Sequence, residues 1–230
     1  MSAVEHSIPT PDVARRVFGD QVDRAEGYAD FLIEHGAVRG VIGPREIDRL
    51  WERHILNSAV LSELVADGVR VIDVGSGGGF PGVPLAIARP DVEMVLLDPM
   101  ARRIDWLHDV VDRLDLSNVT VVRGRAEEKS TRKQVGTAEV VTARAVAPLG
   151  KLARWCLPLV RRDGELLALK GDSAAAEIER DARQIGSADG VDPVVMRCGE
   201  GVLDHPTTVV RIRKGARADQ SQGQLRRKRH

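Results

Sequence analysis

The residues best placed to do chemistry in this sequence lie between Val71 and Leu85, which reads VIDVGSGGGFPGVPL. Asp73, Gly75, Gly77 and Gly79 alternate there, and Gly82 completes the spacing Gly77-x-Gly79-x-x-Gly82. Glycine lets a chain turn sharply and lets a ligand approach the main chain without meeting a Cβ. A short apolar run, a glycine turn and a helical pattern, in that order, make a nucleotide-binding crevice at the carboxyl end of a parallel strand. The helix start leaves N–H groups aimed at the ligand. A second carboxylate, Asp98, ends the next apolar run, where it suits hydrogen bonds from ribose hydroxyls. Either aspartate could instead serve as a loop or capping residue.

The elements that must position these residues follow from periodicity. Apolar runs at 71–74, 93–97, 119–122, 138–143 and 165–169 alternate with helical patterns. Ile104, Leu107, Val111 and Leu114 share one helical face, and Leu149, Leu152, Ala153, Cys156 and Val160 share another. A further charged helix is expected over Ala174 to Ile185. Such βαβ repetition predicts a parallel sheet covered on both faces. The last two runs, Pro193 to Met196 and Thr207 to Ile212, have no helix between them and should pair antiparallel. That ending favours a class I methyltransferase sheet over a nicotinamide-binding one. The pattern from Asp73, acidic-x-G-x-G-x-G, is likewise the loop of class I methyltransferases that bind S-adenosyl-L-methionine. The expected fold is α/β, a doubly wound, Rossmann-like, seven-stranded sheet with the last strand antiparallel.

Upstream, Thr10 and Pro11 read as an N-cap and first helical position. Val22, Ala25, Ala29 and Leu32 recur at helical spacing, and Arg45 to Leu64 reads as another helix. The expected organisation is a helical extension over residues 1–66, a cofactor-binding domain over 67–213 and a basic, disordered tail over 214–230. The first nine residues are also expected to be disordered.

Composition bounds the function. The 230 residues carry 34 Lys and Arg against 34 Asp and Glu, so any nucleic-acid site must come from local clustering. No apolar run approaches a membrane span and no secretory core opens the chain, which points to a cytoplasmic protein without a membrane partner. Cys156 and Cys198 form neither a metal spacing nor a disulfide framework, so no metal is expected. The clustering appears at strand ends: Arg123 and Arg125 after the third strand, Arg144 after the fourth and Lys170 after the fifth. As a set they predict an anionic substrate, with RNA phosphate the natural candidate.

The fourth strand also narrows the chemistry. It ends Thr142-Ala143-Arg144-Ala145, without the Asp/Asn-Pro-Pro-aromatic motif of enzymes that attack base amines. Neither cysteine suits attack on a pyrimidine. A ring nitrogen with a free lone pair, such as guanine N7, needs neither device and no general base. In-line positioning and an electrostatic setting suffice.

Several short motifs in register now resemble one family. Arg53-His54-Ile55-Leu56-Asn57-Ser58, GSGGGFPGVPLA at 75–86, LLDP at 96–99, GRAEE at 124–128, ARA at 143–145 and ALKG at 168–171 occur in the order of the small-subunit ribosomal RNA methyltransferase G family, also called glucose-inhibited division protein B. The resemblance spans residues 10 to 213. It implies methyl transfer from S-adenosyl-L-methionine to N7 of a guanosine in the decoding-region loop of bacterial 16S rRNA, free or within a small-subunit assembly intermediate. It also implies cofactor contacts at Gly75, Phe80, Ala126, Glu127 and Arg144, beside Asp73, Gly77 and Asp98 from the motif reading. Arg53 and His54 are expected on the substrate side, with Arg123, Arg125 and Lys170 as RNA contacts; His54 suits helix packing equally well. Asn57 stands where the family usually has aspartate. A monomer is expected. Two rivals remain at this level: a nicotinamide-dependent oxidoreductase using Gly77, Gly79 and Gly82, and a noncatalytic RNA-binding protein on the same fold.

Overall fold

The structure, a computed structural model, describes residues 8–144 and 147–215. Seven strands form one sheet in the order β3-β2-β1-β4-β5-β7-β6. They are β1 (Arg70–Val74), β2 (Glu93–Asp98), β3 (Val119–Arg123), β4 (Ala138–Arg144), β5 (Val160–Lys170), β6 (Gly190–Cys198) and β7 (Thr207–Lys214). The first five pair in parallel, and β7 runs antiparallel between β5 and β6. The strand order reverses between β1 and β4, so a crevice opens beyond their carboxyl ends. Asp73, Asp98, Arg123, Arg144 and Lys170 all lie at that edge.

The extension opens with α1 (Asp12–Phe18) and α2 (Val22–Phe31). Pro11 precedes α1 in an extended conformation and its carbonyl accepts the Ala14 N–H at 2.8 Å, so Thr10 is not the cap. The expected single helix over Arg45–Leu64 is broken. A 3₁₀ stretch, Pro44–Arg49, leads into a wider π-helical stretch, Trp51–Leu56, then α3 (Asn57–Ala59) and a second 3₁₀ stretch. The π-helical widening places Arg53 and His54, consistent with the frequent use of such irregularities at functional sites. Apolar residues of this extension share one core with β1, β2 and the helices on that face: Tyr28, Leu32, Leu50, Ile55 and Leu61 are fully buried.

The sheet helices are α4 (Gly82–Ala88), α5 (Ala101–Leu114), α6 (Lys129–Val135), α7 (Leu149–Cys156) and α8 (Ala174–Ser187). Two expectations need correction. On α5 the buried row is Ile104, Trp106, Leu107, Val110 and Leu114, so Val110 takes the inward place expected of Val111 and Trp106 joins it. Val160 does not continue α7; the helix stops at Cys156, and Val160 opens β5 and pairs with Ala138. β7 runs through Lys214, which pairs with Gly190, one residue beyond the expected boundary. Apart from Lys214 and Gly215, the expected tail lies outside the described residues, as do residues 1–7 and Ala145. Among the described residues no helix is long and apolar enough to cross a membrane.

Candidate active site

The glycine loop is built by three left-handed positions, Gly75 (φ 75°), Gly77 (φ 58°) and Gly79 (φ 110°). A side chain is strained at such φ values whatever the space available. Gly79 is also closed in: an added Cβ would stand 2.5 Å from the Tyr28 hydroxyl and 2.8 Å from Val83. At Gly82 a Cβ would meet Leu96 and lie 2.8 Å from the Asp73 carboxylate. This tightness lets Asp73 Oδ2 accept the Gly82 N–H at 3.1 Å, where α4 begins. Asp98 anchors the other side: its carboxylate accepts the N–H groups of Gly77 (3.0 Å) and Met100 (2.9 Å) and the Arg103 guanidinium at 3.3 Å. Asp98 is fully buried, and its observed partners fasten the loop to β2.

Asp73 is fully buried, and Oδ1 has no hydrogen-bond partner among the described residues. Burial pushes its carboxyl up to about 7, against the Ser76 and Gly82 hydrogen bonds and the Arg144 charge, which favour ionisation. An orphaned buried acceptor is costly unless something arrives to use it.

Beside the loop lies a pocket of about 160 Å³ lined by Gly75, Leu97, Pro99, Ala126, Glu127 and Trp155. Its mostly apolar walls suit one planar ring. The structure therefore brings Gly75, Ala126 and Glu127 together across three strand ends. The Ala126 carbonyl is held by Arg132 Nε at 2.7 Å, which sets the pocket's far wall. Arg125 lines the rim and pairs loosely with Glu128 at 3.9 Å. Arg123 is exposed, with Nε 3.4 Å from the Pro99 carbonyl.

On the opposite side of the loop is a second, open pocket of about 540 Å³. Arg53, His54, Asn57, Arg144 and Lys170 line it, in company with Glu46 and Glu52. Phe80 is buried behind two of these lining residues, His54 and Arg144. The Phe80 ring packs against Tyr28 and His54, with centroid separations of 5.7 and 5.2 Å, and Arg144 lies 4.7 Å over its face. Arg144 donates to the Arg53 carbonyl at 3.2 Å and lies 2.8 Å from His54 Nδ1. His54 Nε2 lies 2.9 Å from Glu46. Because Arg144 can only donate, Nδ1 must accept, so His54 is neutral with its proton on Nε2, directed at Glu46. Burial lowers the His54 pKa in the same sense, offset in part by Glu46.

The expectation that the strand-end cations share one crevice is corrected here. Arg144 and Lys170 line the larger pocket, Arg125 the smaller one, and Arg123 neither. Lys170 is committed inside the fold: its ammonium is nearly buried, 2.8 Å from Glu177 and 2.9 Å from the Ala147 carbonyl. Glu177 also accepts the Leu149 N–H, so Lys170 ties the end of β5 to α7 and α8.

Four residues escaped the sequence reading: Tyr28, Glu46, Trp106 and Trp155. Tyr28 and Trp106 both donate to the Gly78 carbonyl, at 2.7 and 2.9 Å, and hold the loop from beneath. Tyr28 is the only tyrosine in the chain, the one signal that could have singled it out. Tyr28→Phe should lower stability by about 1 kcal/mol, since Trp106 keeps the carbonyl partly satisfied. Thermal unfolding reads this directly, and an unchanged midpoint would remove the Tyr28 hydroxyl from the loop's support.

A profile described as rRNA small subunit methyltransferase G matches residues 21–205. The chain belongs to this family. Relatives named ribosomal RNA small subunit methyltransferase G agree with it. One from Corynebacterium glutamicum is 54% identical over 205 residues, 89% of this chain and 92% of the relative. One from Mycobacterium marinum is 50% identical over 207 residues, 90% of each chain. Solved structures support the fold. A predicted O-methyltransferase from Agrobacterium tumefaciens superposes with a TM-score of 0.55 at 18% identity, covering 70% of this chain and 81% of that one. A fibrillarin from Aeropyrum pernix, solved with natively bound S-adenosyl-L-methionine, gives 0.50 at 16% identity, covering 70% and 74%. As a member of the methyltransferase G family, the chain is a methyltransferase on a class I fold. Membership disfavours both rivals, the oxidoreductase and the noncatalytic binder. Among the described residues no group of three His, Cys, Asp or Glu could hold a metal ion. Cys156 is buried, and burial raises its thiol, so it is a packing residue rather than a nucleophile.

Proposed function

We propose that this enzyme methylates N7 of a guanosine in the decoding-region loop of 16S rRNA. The observation that carries the reading is the presence of two pockets at the carboxyl ends of the parallel strands. One is narrow and apolar beside Gly75, and the other is open and polar beneath Arg144. S-adenosyl-L-methionine supplies a methyl group on a positively charged sulfur. The residues present fit that donor. The slot of Gly75, Leu97, Ala126 and Trp155 would take its adenine, and the unpartnered Asp73 Oδ1 is a free acceptor for its amino group. Asp98 holds the loop that both contacts require.

On the substrate side the buried Phe80 ring backs the Arg144 guanidinium, so the pocket presents the charge and not the ring. Arg144 supplies positive charge beside the loop without presenting a base. His54 has its Nδ1 lone pair directed at Arg144, so it is not free to accept a substrate proton. These features suit a nucleophile that carries its own lone pair, because nothing in the pocket needs to remove a proton first. A base already unstacked in a loop costs less to bring to the hinge than a paired one. The same reading places the enzyme in the cytoplasm, where its substrate is made. It also favours a monomer, since residues of one chain line both pockets. The 67–213 domain with its helical extension is then the catalytic unit, with the extension supplying Tyr28, Glu46 and His54.

The test is to incubate the protein with labelled donor and either 30S subunits or 16S rRNA from cells lacking the enzyme. Label at guanine N7, mapped by reductive strand cleavage, is expected. Stabilisation by S-adenosylhomocysteine but not by NAD or NADP should accompany it. Label on another atom, or none, would overturn the reading.

A further inference from the structure

The substrate mouth is poor in uncommitted positive charge. Arg53 pairs with Glu46, Arg144 is bound to His54, and Lys170 pairs with Glu177, which leaves Arg49 as the one exposed arginine of the mouth without a hydrogen-bond or ion-pair partner among the described residues. The whole chain is neutral as well. Yet affinity for RNA comes largely from phosphate neutralisation. One free guanidinium neutralises little of a phosphate backbone, so further charge is to be sought elsewhere on the surface.

At the opposite end of the sheet is a groove of about 560 Å³. Arg132 of α6, Arg154 of α7, Arg162 of β5 and Lys214 of β7 line it, with Asp189 the only acidic residue among the described residues of its wall. Lys214 lies 3.6 Å from Asp189, and Arg132 is held by the Ala126 carbonyl. Arg154 and Arg162 are exposed and have no hydrogen-bond or ion-pair partner among the described residues. Two unpaired guanidiniums in a concave, polar wall match the forked geometry that phosphate accepts. Gly215 also lines the groove, and the chain continues from it with Arg217, Arg226, Arg227, Lys228 and Arg229.

We propose that this groove, beginning at Arg154 and Arg162, is a second docking surface for the phosphate backbone of the substrate RNA. The proposal rests on the rRNA reading above. Arg162 lies on a bulge of β5 opposite the start of β4, and the regular stretch of β4 from Ala138 to Arg144 puts the groove on the order of 20 Å from the substrate mouth at a strand's usual rise. An RNA that occupies both must span the length of the central strands. The groove would thus select an extended rRNA over a short loop, and it would set affinity rather than the chemical step.

The experiment compares full-length wild type with Arg154→Glu/Arg162→Glu. Binding of naked 16S rRNA is measured across salt concentrations, with KM and kcat measured on whichever of 16S rRNA and 30S subunits the wild type methylates. The variant should show a KM at least tenfold higher, an unchanged kcat and a binding slope against log salt shallower by about two. Stabilisation by S-adenosylhomocysteine should match wild type, which shows that the fold survives. If the charge reversal prevents folding, Arg154→Gln/Arg162→Gln replaces it, with the same slope expected. RNA binding and KM equal to wild type would overturn the docking surface. An altered KM on 30S subunits with unaltered binding of naked rRNA would also overturn it and point to a protein partner. Failure of the wild type to methylate RNA would overturn the proposed function instead, while the binding slope would still judge the groove.

Discussion

Arg144→Ala should lower kcat/KM for methyl transfer by roughly 10²–10³-fold, the usual cost of deleting one preorganised electrostatic group. The fold should survive, because Phe80 keeps its contacts with Tyr28 and His54. Arg144→Lys should restore little, since an ammonium cannot stack on Phe80 and reach both the Arg53 carbonyl and His54 Nδ1. The same contacts predict a pH response. The His54 pKa is lowered, chiefly by burial, so its contribution is full above the ordinary histidine value and is lost as pH falls through the lower folded-state value. Once Nδ1 is protonated it faces Arg144 donor to donor, and the guanidinium loses its seat. Glu46, Arg53 and Arg144 are the charged groups that act on this imidazole. His54→Gln should therefore change the acid limb of the pH–rate profile. Full activity in Arg144→Ala, or identical acid limbs in the two enzymes, would dismiss this arrangement.

A second large effect concerns Asp73 in the unliganded protein. Its folded-state carboxyl is raised to about 7, so the folded form binds more protons than the unfolded chain. The sign follows: the stabilisation is complete below the ordinary aspartate value and is lost as pH rises through the folded value. Between about pH 4 and pH 7 that loss is on the order of 4 kcal/mol. The difference in unfolding free energy between wild type and Asp73→Asn isolates it, because other carboxylates titrate equally in both. Ligand should reverse the shift, since a cationic amino group beside Oδ1 favours the ionised form. Binding of S-adenosylhomocysteine near pH 7 should then release a proton, measurable by calorimetry in buffers of different ionisation enthalpy. In Asp73→Asn the proton release should vanish and affinity should fall by about 1.5–3 kcal/mol, the worth of a hydrogen bond to a charged group. A pH-independent difference between the two proteins, or wild-type affinity in the variant, would show that Asp73 serves only to cap α4.

Much of this could be read from residue order. The seven strands, the antiparallel ending and the glycine hinge all leave local signatures: apolar runs, periodicity and residues able to adopt positive φ. Asp73 was found as the acid that opens the glycine pattern, and Asp98 because it ends an apolar run, and strand ends in such sheets face the crevice. Local reading went wrong where tertiary packing overrides it. Val160 has the right spacing for α7 but is drawn into β5 by pairing with Ala138. The helix expected over Arg45–Leu64 is widened and tightened along its length, and Leu50, Trp51, Ile55, Leu56 and Leu61 of that stretch are buried in the core.

By itself, then, the sequence determined the family, the sheet and the hinge, because these depend on residue types at short, regular spacings. Only the folded chain decided which cations are free and which are committed. Lys170 and Arg154 look alike as basic residues, but one ammonium is enclosed against Glu177 and one guanidinium is left in solvent. It also decided that Tyr28 and Trp106, 78 positions apart, would meet at one glycine carbonyl. The physical reason is that a hydrogen bond or ion pair is set by distance in space, and the pattern along the chain carries no record of that distance.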